Sequence, residues 1–102
     1  MKTPAECQSM EEIRAGIDAL DAELVALLAA RSDYIDRAAE IKGAVGLPAN
    51  IPARVEEVVA KVRGKATEAG FDPDLAERMW REMIDWAIAR EERVLGNKKD
   101  AT

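Results

Sequence analysis

The sequence predicts an all-α protein of three helices, the first of them far longer than a small domain holds. Three observations carry this. Apolar residues recur at helical spacing in three blocks, and no strand-length β-branched alternation occurs. Ala, Glu, Arg and Leu dominate, while aromatics make up only 4% of the chain, a mixture that favours helices. Clusters of glycine and proline fall at the ends of the blocks, where helices stop and start. At 102 residues the chain is read as a single domain, 1–102.

The first helix opens at Ser9-Met10-Glu11-Glu12, a capping-box pattern with Ser9 at the N-cap and Glu12 at N3. Its apolar stripe runs from Ile13 to about Ile41, and Gly43 with Gly46-Leu47-Pro48 is read as the stop. That gives about 33 residues, or roughly 50 Å. A compact chain of this size has a radius of gyration near ~13 Å, so such a helix would overhang. The stripe does not fade along its length, and its simplest cover is a second copy of the chain. An intimate homodimer is therefore expected.

The segment GAVGLPANIPAR is the one clear internal loop. Pro52 suits the first turn of a second helix, Ala53 to about Ala69, with Gly70 as its stop. Val55, Val58, Val59 and Val62 form its apolar side, and Gly64 weakens its later half. Asp72-Pro73 then reads as N-cap and N1 of a third helix ending near Gly96. Leu75, Met79, Trp80, Met83, Ile84, Trp86, Ala87, Val94 and Leu95 give it a broad apolar face. The closing NKKDAT is polar and expected to fray.

Composition removes several kinds of chemistry. The net charge of −5 argues against a general nucleic-acid binder. There is no histidine, which excludes His-based triads, His general bases and most zinc sites. Cys7 is alone, so no disulfide framework or thiolate cluster exists. No metal or other cofactor is expected. The N-terminus lacks an apolar signal region, and no run approaches the length of a membrane span, so a cytoplasmic protein is expected.

One feature of the first helix runs against its pattern. With Arg31 as zero direction, Ile13, Ile17, Leu20, Leu24, Leu27, Ile35 and Ala38 all fall within roughly 40° of it. Lys42 falls within about 20°. Two cations thus occupy an apolar stripe, where an unpaired charge is costly, so something anionic should meet them. Arg31 has structural alternatives: an ion pair with an acid such as Asp21, or snorkelling. Lys42 also suits a helix C-terminus. Arg14, about 100° from Arg31, is either a solvated arginine or one that reaches toward a neighbouring subunit. Arg54 is mildly misplaced at a helix start, where acids are favoured. On the third helix Glu91 extends the line Trp80, Ile84, Ala87, and an arginine on another helix is one possible partner. The run Arg90-Glu91-Glu92-Arg93 otherwise reads as a solvated face. Together the cations suggest a pocket for a small dicarboxylate.

These residues resemble a known family. IRAGIDALDAELVALLAAR followed by YIDRAAEIK is similar to the first helix of the all-helical chorismate mutases, and the likeness continues through PARVEEVV. It covers about residues 5 to 95, with a lysine eleven residues after Arg31 and an arginine twelve after that. The opening MKTPAEC resembles the isochorismate pyruvate lyase branch. The resemblance implies three helices per chain in an intertwined dimer, with Arg14 donated to the partner's site and Arg31, Lys42 and Arg54 lining the chain's own. Arg14 and Arg31 would hold the substrate carboxylates. Lys42 would contact the ether oxygen and a carboxylate, and Glu91 would donate to the ether oxygen. Four positions depart from the family pattern. Ile51 and Val55 stand where many members carry hydroxyl-binding acids, and Ala87 stands where a serine is common. Position 91 is Glu, where Gln is usual.

The implied reaction is the concerted [3,3] rearrangement of chorismate to prephenate, which needs no nucleophile or metal. Elimination of pyruvate from isochorismate to leave salicylate is the alternative. A non-catalytic helical dimer, with Arg31 and Lys42 paired internally, is a third. Glu91 can donate only when protonated, so its surroundings decide whether it contributes.

Overall fold

A computed structural model describes residues 2–96, and the NKKDAT segment lies outside them. The described residues form a short 3₁₀ turn and three α-helices: α1 (Met10–Val45), α2 (Pro52–Ala69) and α3 (Pro73–Leu95). The all-helical expectation holds, and the helix ends fall close to where the punctuation put them. The chain divides into two compact units, the first up to Tyr34 and the second from Ile35.

The first unit holds the 3₁₀ turn (Pro4–Glu6) and the beginning of α1. The Glu6 carboxylate accepts from the Thr3 backbone N–H at 2.8 Å and from its hydroxyl at 2.9 Å. These hydrogen bonds hold Glu6 below the usual carboxylate range. Ser9 caps α1 as expected, its Oγ accepting from the Glu12 N–H at 3.2 Å. The other half of the capping box is replaced, because the Glu12 carboxylate pairs with Lys2. No described residue of this unit is buried. Its apolar stripe stands open, with Ile17 51%, Leu20 50%, Leu24 56% and Leu27 67% exposed.

In the second unit the end of α1 is set by Gly46, not Gly43. Gly46 takes φ 78° and the Leu47 N–H reaches back to the Lys42 carbonyl at 2.9 Å, which is a Schellman closure. Gly43 lies inside the helix, and a β-carbon there would stand 3.1 Å from Leu95 Cδ2. Its smallness therefore serves the approach of α3, which the sequence pattern alone cannot distinguish from a stop. Gly70 ends α2 at φ 77°, with the Phe71 N–H on the Ala66 carbonyl at 2.8 Å.

Helices α2 and α3 pack together. The buried apolar residues are Ala39 on α1, Ala49 in the loop, Val59 and Ala66 on α2, and Ala76, Ile84 and Ala87 on α3. Small side chains predominate, which lets helices approach closely. An ionic chain laces the rim of α2 and α3. Arg81 forks onto Glu56 at 2.9 and 3.1 Å and meets Glu77 at 2.7 Å. Arg63 meets Glu77 and Asp74, each at 3.0 Å. The Arg81 hydrogen bonds hold both Glu56 and Glu77 below the ordinary carboxylate range. The broad apolar face expected of α3 is only partly covered, since Met79, Trp86 and Val94 are exposed.

Asp72 caps α3, its Oδ1 accepting from the N–H groups of Asp74 at 2.9 Å and Leu75 at 3.4 Å. Asp72→Ala is expected to lower the unfolding free energy by about 1 kcal/mol, with Asp72→Asn retaining most of it. Urea denaturation of the two variants checks this, and equal loss in both would show that the cap is not the cause.

Candidate active site

Lys42 and Glu91 meet in the second unit. Lys42 arrives from the last turn of α1, and Glu91 from the inner line of α3 that also carries Ile84 and Ala87. The Lys42 ammonium stands 2.8 Å from Glu91 Oε1. It also donates to the Ala49 carbonyl at 2.9 Å, tying the α1–α2 loop to the same point. The Glu91 side chain is 5% exposed and that of Lys42 19%, so this charge pair is held largely out of water.

The approach of Lys42 to Glu91 is ionic and lies outside hydrogen-bond geometry. Glu91 Oε1 therefore accepts no hydrogen bond from the described residues. The anion that the stripe demanded for Lys42 is thus Glu91, and the cation that Glu91 demanded is a lysine instead of an arginine. The reading of residues 90 to 93 as a solvated face fails at Glu91, which is buried, and holds at Glu92 and Arg93, which are exposed.

Other candidates lie differently. Arg54, at the start of α2, is exposed and pairs with Glu57, which also takes Lys61 at 3.2 Å. Those two cations hold Glu57 below the usual carboxylate range, the hydrogen bond from Lys61 contributing most. Arg14 and Arg31 belong to the first unit, Arg14 exposed and Arg31 half-buried. Among the described residues neither is within ion-pair distance of a carboxylate, and Arg31 does not pair with Asp21. Ile51 and Val55 are half-buried and Ala87 buried.

One pair beside the Lys42–Glu91 contact was not foreseen. Arg90 grips Asp36 of α1 with both arms, Nε to Oδ1 at 2.6 Å and Nη2 to Oδ2 at 3.0 Å. Its guanidinium also lies over the Trp86 ring, 5.2 Å from the centroid. The Arg90 hydrogen bonds hold the Asp36 carboxyl below its ordinary range. Asp36 lies about 120° around α1 from Lys42, off the apolar stripe, so the pattern that exposed Lys42 had nothing to say about it.

Chemically the arrangement offers a buried cation and a buried carboxyl group on facing helices, with the carboxyl otherwise unbonded at one oxygen. Such a pair can exchange its internal contact for an anionic ligand and present a donor beside it.

Residues 13–92, most of the chain, match the family described as chorismate mutase type II. The chain is 34% identical to the isochorismate pyruvate lyase of Pseudomonas aeruginosa over 92 residues, covering 89% of each. It is 27% identical to the chorismate mutase of Methanocaldococcus jannaschii over 88 residues, covering 86% of this chain and 89% of that one. It is 31% identical to the T-protein of Haemophilus influenzae over 84 residues, which is 82% of this chain but 22% of that larger protein.

Proposed function

Because the chain belongs to the chorismate mutase type II family, we propose that it converts chorismate to prephenate by a concerted rearrangement. The observation that carries the reading is the Lys42–Glu91 pair, buried and shared between two helices. As the ether C–O bond breaks and the new C–C bond forms, negative charge develops on the ether oxygen. Lys42 meets that charge together with a substrate carboxylate. The substrate carboxylate takes the place of Glu91 as the counter-ion of Lys42. Glu91, released from Lys42, takes up a proton from water and with that proton donates a hydrogen bond to the ether oxygen.

Arg31 and Arg54 bind the substrate's carboxylates from the same chain, and Arg14 is donated from a second copy. The open stripe of Ile17, Leu20, Leu24 and Leu27 supports that second copy. Holding both ends of the substrate fixes it in a near-attack geometry, which for a one-substrate rearrangement is the main task. No described helix is long and apolar enough to cross a membrane, and the same reading puts the enzyme in the cytoplasm.

Isochorismate pyruvate lyase activity is the second reading, favoured by the 34% identity to the Pseudomonas lyase over 89% of both chains. The same cations serve both reactions. Two assays separate them: loss of chorismate absorbance, and salicylate fluorescence with isochorismate as substrate. Glu91→Leu, which keeps no donor, is expected to lower kcat for chorismate by about 10²-fold, while Glu91→Gln, whose amide always carries a donor, is expected to retain turnover. Native kcat in Glu91→Leu would remove Glu91 from the donor role.

A further inference from the structure

We propose that the Asp36–Arg90 fork is a positioning pair that sets Glu91 against its reaction partner. This inference deepens the functional reading above and rests on it for the identity of the reaction. Glu91 Oε1 takes no hydrogen bond from the described residues, and its ion pair with Lys42 at 2.8 Å is a single-point contact that fixes distance and not direction. Its placement must come from the backbone of α3. The neighbouring residue, Arg90, is held at three points: two parallel bonds to Asp36, at 2.6 and 3.0 Å, and the Trp86 ring one turn back at 5.2 Å.

A planar fork resists rotation as well as sliding, which a single-point lysine contact does not. Adjacent residues of α3 project about 100° apart, and Asp36 and Lys42 stand about 120° apart around α1. The two ties therefore grip α1 from two sides, and turning α3 to relax one would pull on the other. The outer tie is half-exposed, with Arg90 40% and Asp36 43% exposed, so its loss should barely affect stability. Its effect should fall on rate, because a misplacement of about 1 Å at a reacting group is costly.

Arg90→Lys keeps the charge and loses the fork, while Asp36→Asn keeps the shape and loses the charge. Each is expected to lower kcat about tenfold with KM changed less than about twofold. Thermal midpoints should stay within about 2 °C. The swapped double variant Asp36→Arg/Arg90→Asp, which rebuilds the fork in reverse, should recover most of the lost kcat. A second readout needs no turnover: the carbon-13 carboxyl resonance of Glu91, assigned by its loss in Glu91→Gln, should shift in Arg90→Lys and return in the swapped variant. Native kcat in both single variants overturns the proposal. So does an unmoved Glu91 resonance, or a kcat loss that merely follows the unfolded fraction. A wild-type chain inert toward chorismate and isochorismate would instead overturn the functional reading, and the resonance would still decide the positioning role.

Discussion

Lys42→Ala is expected to lower kcat by about 10²–10³, the usual loss when one preorganised donor to a developing oxyanion is removed. The same substitution leaves Glu91, 5% exposed at its side chain, without its cation. It also leaves the Ala49 carbonyl, in a loop residue that is itself buried, without its donor. Breaking a buried pair from one side costs about 3 kcal/mol or more of stability, so activity could fall for a trivial reason. The double variant Lys42→Ala/Glu91→Leu separates the two effects. Replacing both charges by apolar groups is often neutral for stability, so the double should unfold at higher urea than the single. It should remain as inactive as the single, because the cation is still missing. A double variant that regains turnover would show that Lys42 only keeps the fold. A single variant retaining more than about a tenth of native kcat would remove Lys42 from the chemistry.

The same residue shows what the sequence makes legible. Lys42 stood out because it sat in an apolar stripe, and the rule that buried charge needs a partner demanded an anion. That rule names no partner. Which carboxylate answers depends on how α3 crosses the end of α1, and α3 offered six acids, at positions 74, 77, 82, 85, 91 and 92. Glu91 was singled out by its apolar line, and the buried side of α3 agrees.

The helix ends were legible because capping is local: Ser9, Asp72, Gly70 and Pro52 act within a few residues of themselves. Gly43 was misread because a glycine that stops a helix and one that admits a neighbouring helix look alike in one dimension. Its closeness to Leu95 exists only once α3 is folded back. Asp36 and Arg90 were silent for a similar reason. Both are charged, both are half-exposed, and their pairing spans 54 positions of sequence. The Arg31 question has a different standing: the stripe predicts a counter-anion, and no described carboxylate supplies one. A substrate carboxylate meets that demand without any protein acid, which is the expected state of a binding cation before its ligand arrives.

Mixing two inactive variants should restore about a quarter of native activity, if Arg14 is donated across the dimer. The argument starts from α1. A lone helix bearing Ile17, Leu20, Leu24 and Leu27 half or more exposed cannot hold itself in water. Each such side chain, once covered, contributes about 1.5–3 kcal/mol, and two-fold symmetry counts every one twice. Copies joined in this way would stay together, and their chains would exchange only when unfolded and refolded as a mixture. Arg14→Ala and Arg31→Ala homodimers each lack a carboxylate-binding cation in both sites and should be nearly inert. In a hybrid dimer, the site on the Arg14→Ala chain keeps its own Arg31 and receives an intact Arg14 from the other chain. The second site lacks both. Random pairing makes half the dimers hybrids, each with one working site, hence the quarter. Were Arg14 to act within its own chain, every hybrid site would lack one arginine and the mixture would stay as inert as its parents. Were the chain monomeric, refolding the mixture would likewise recover nothing, and sedimentation of the native protein at one-chain mass would separate that outcome from the first.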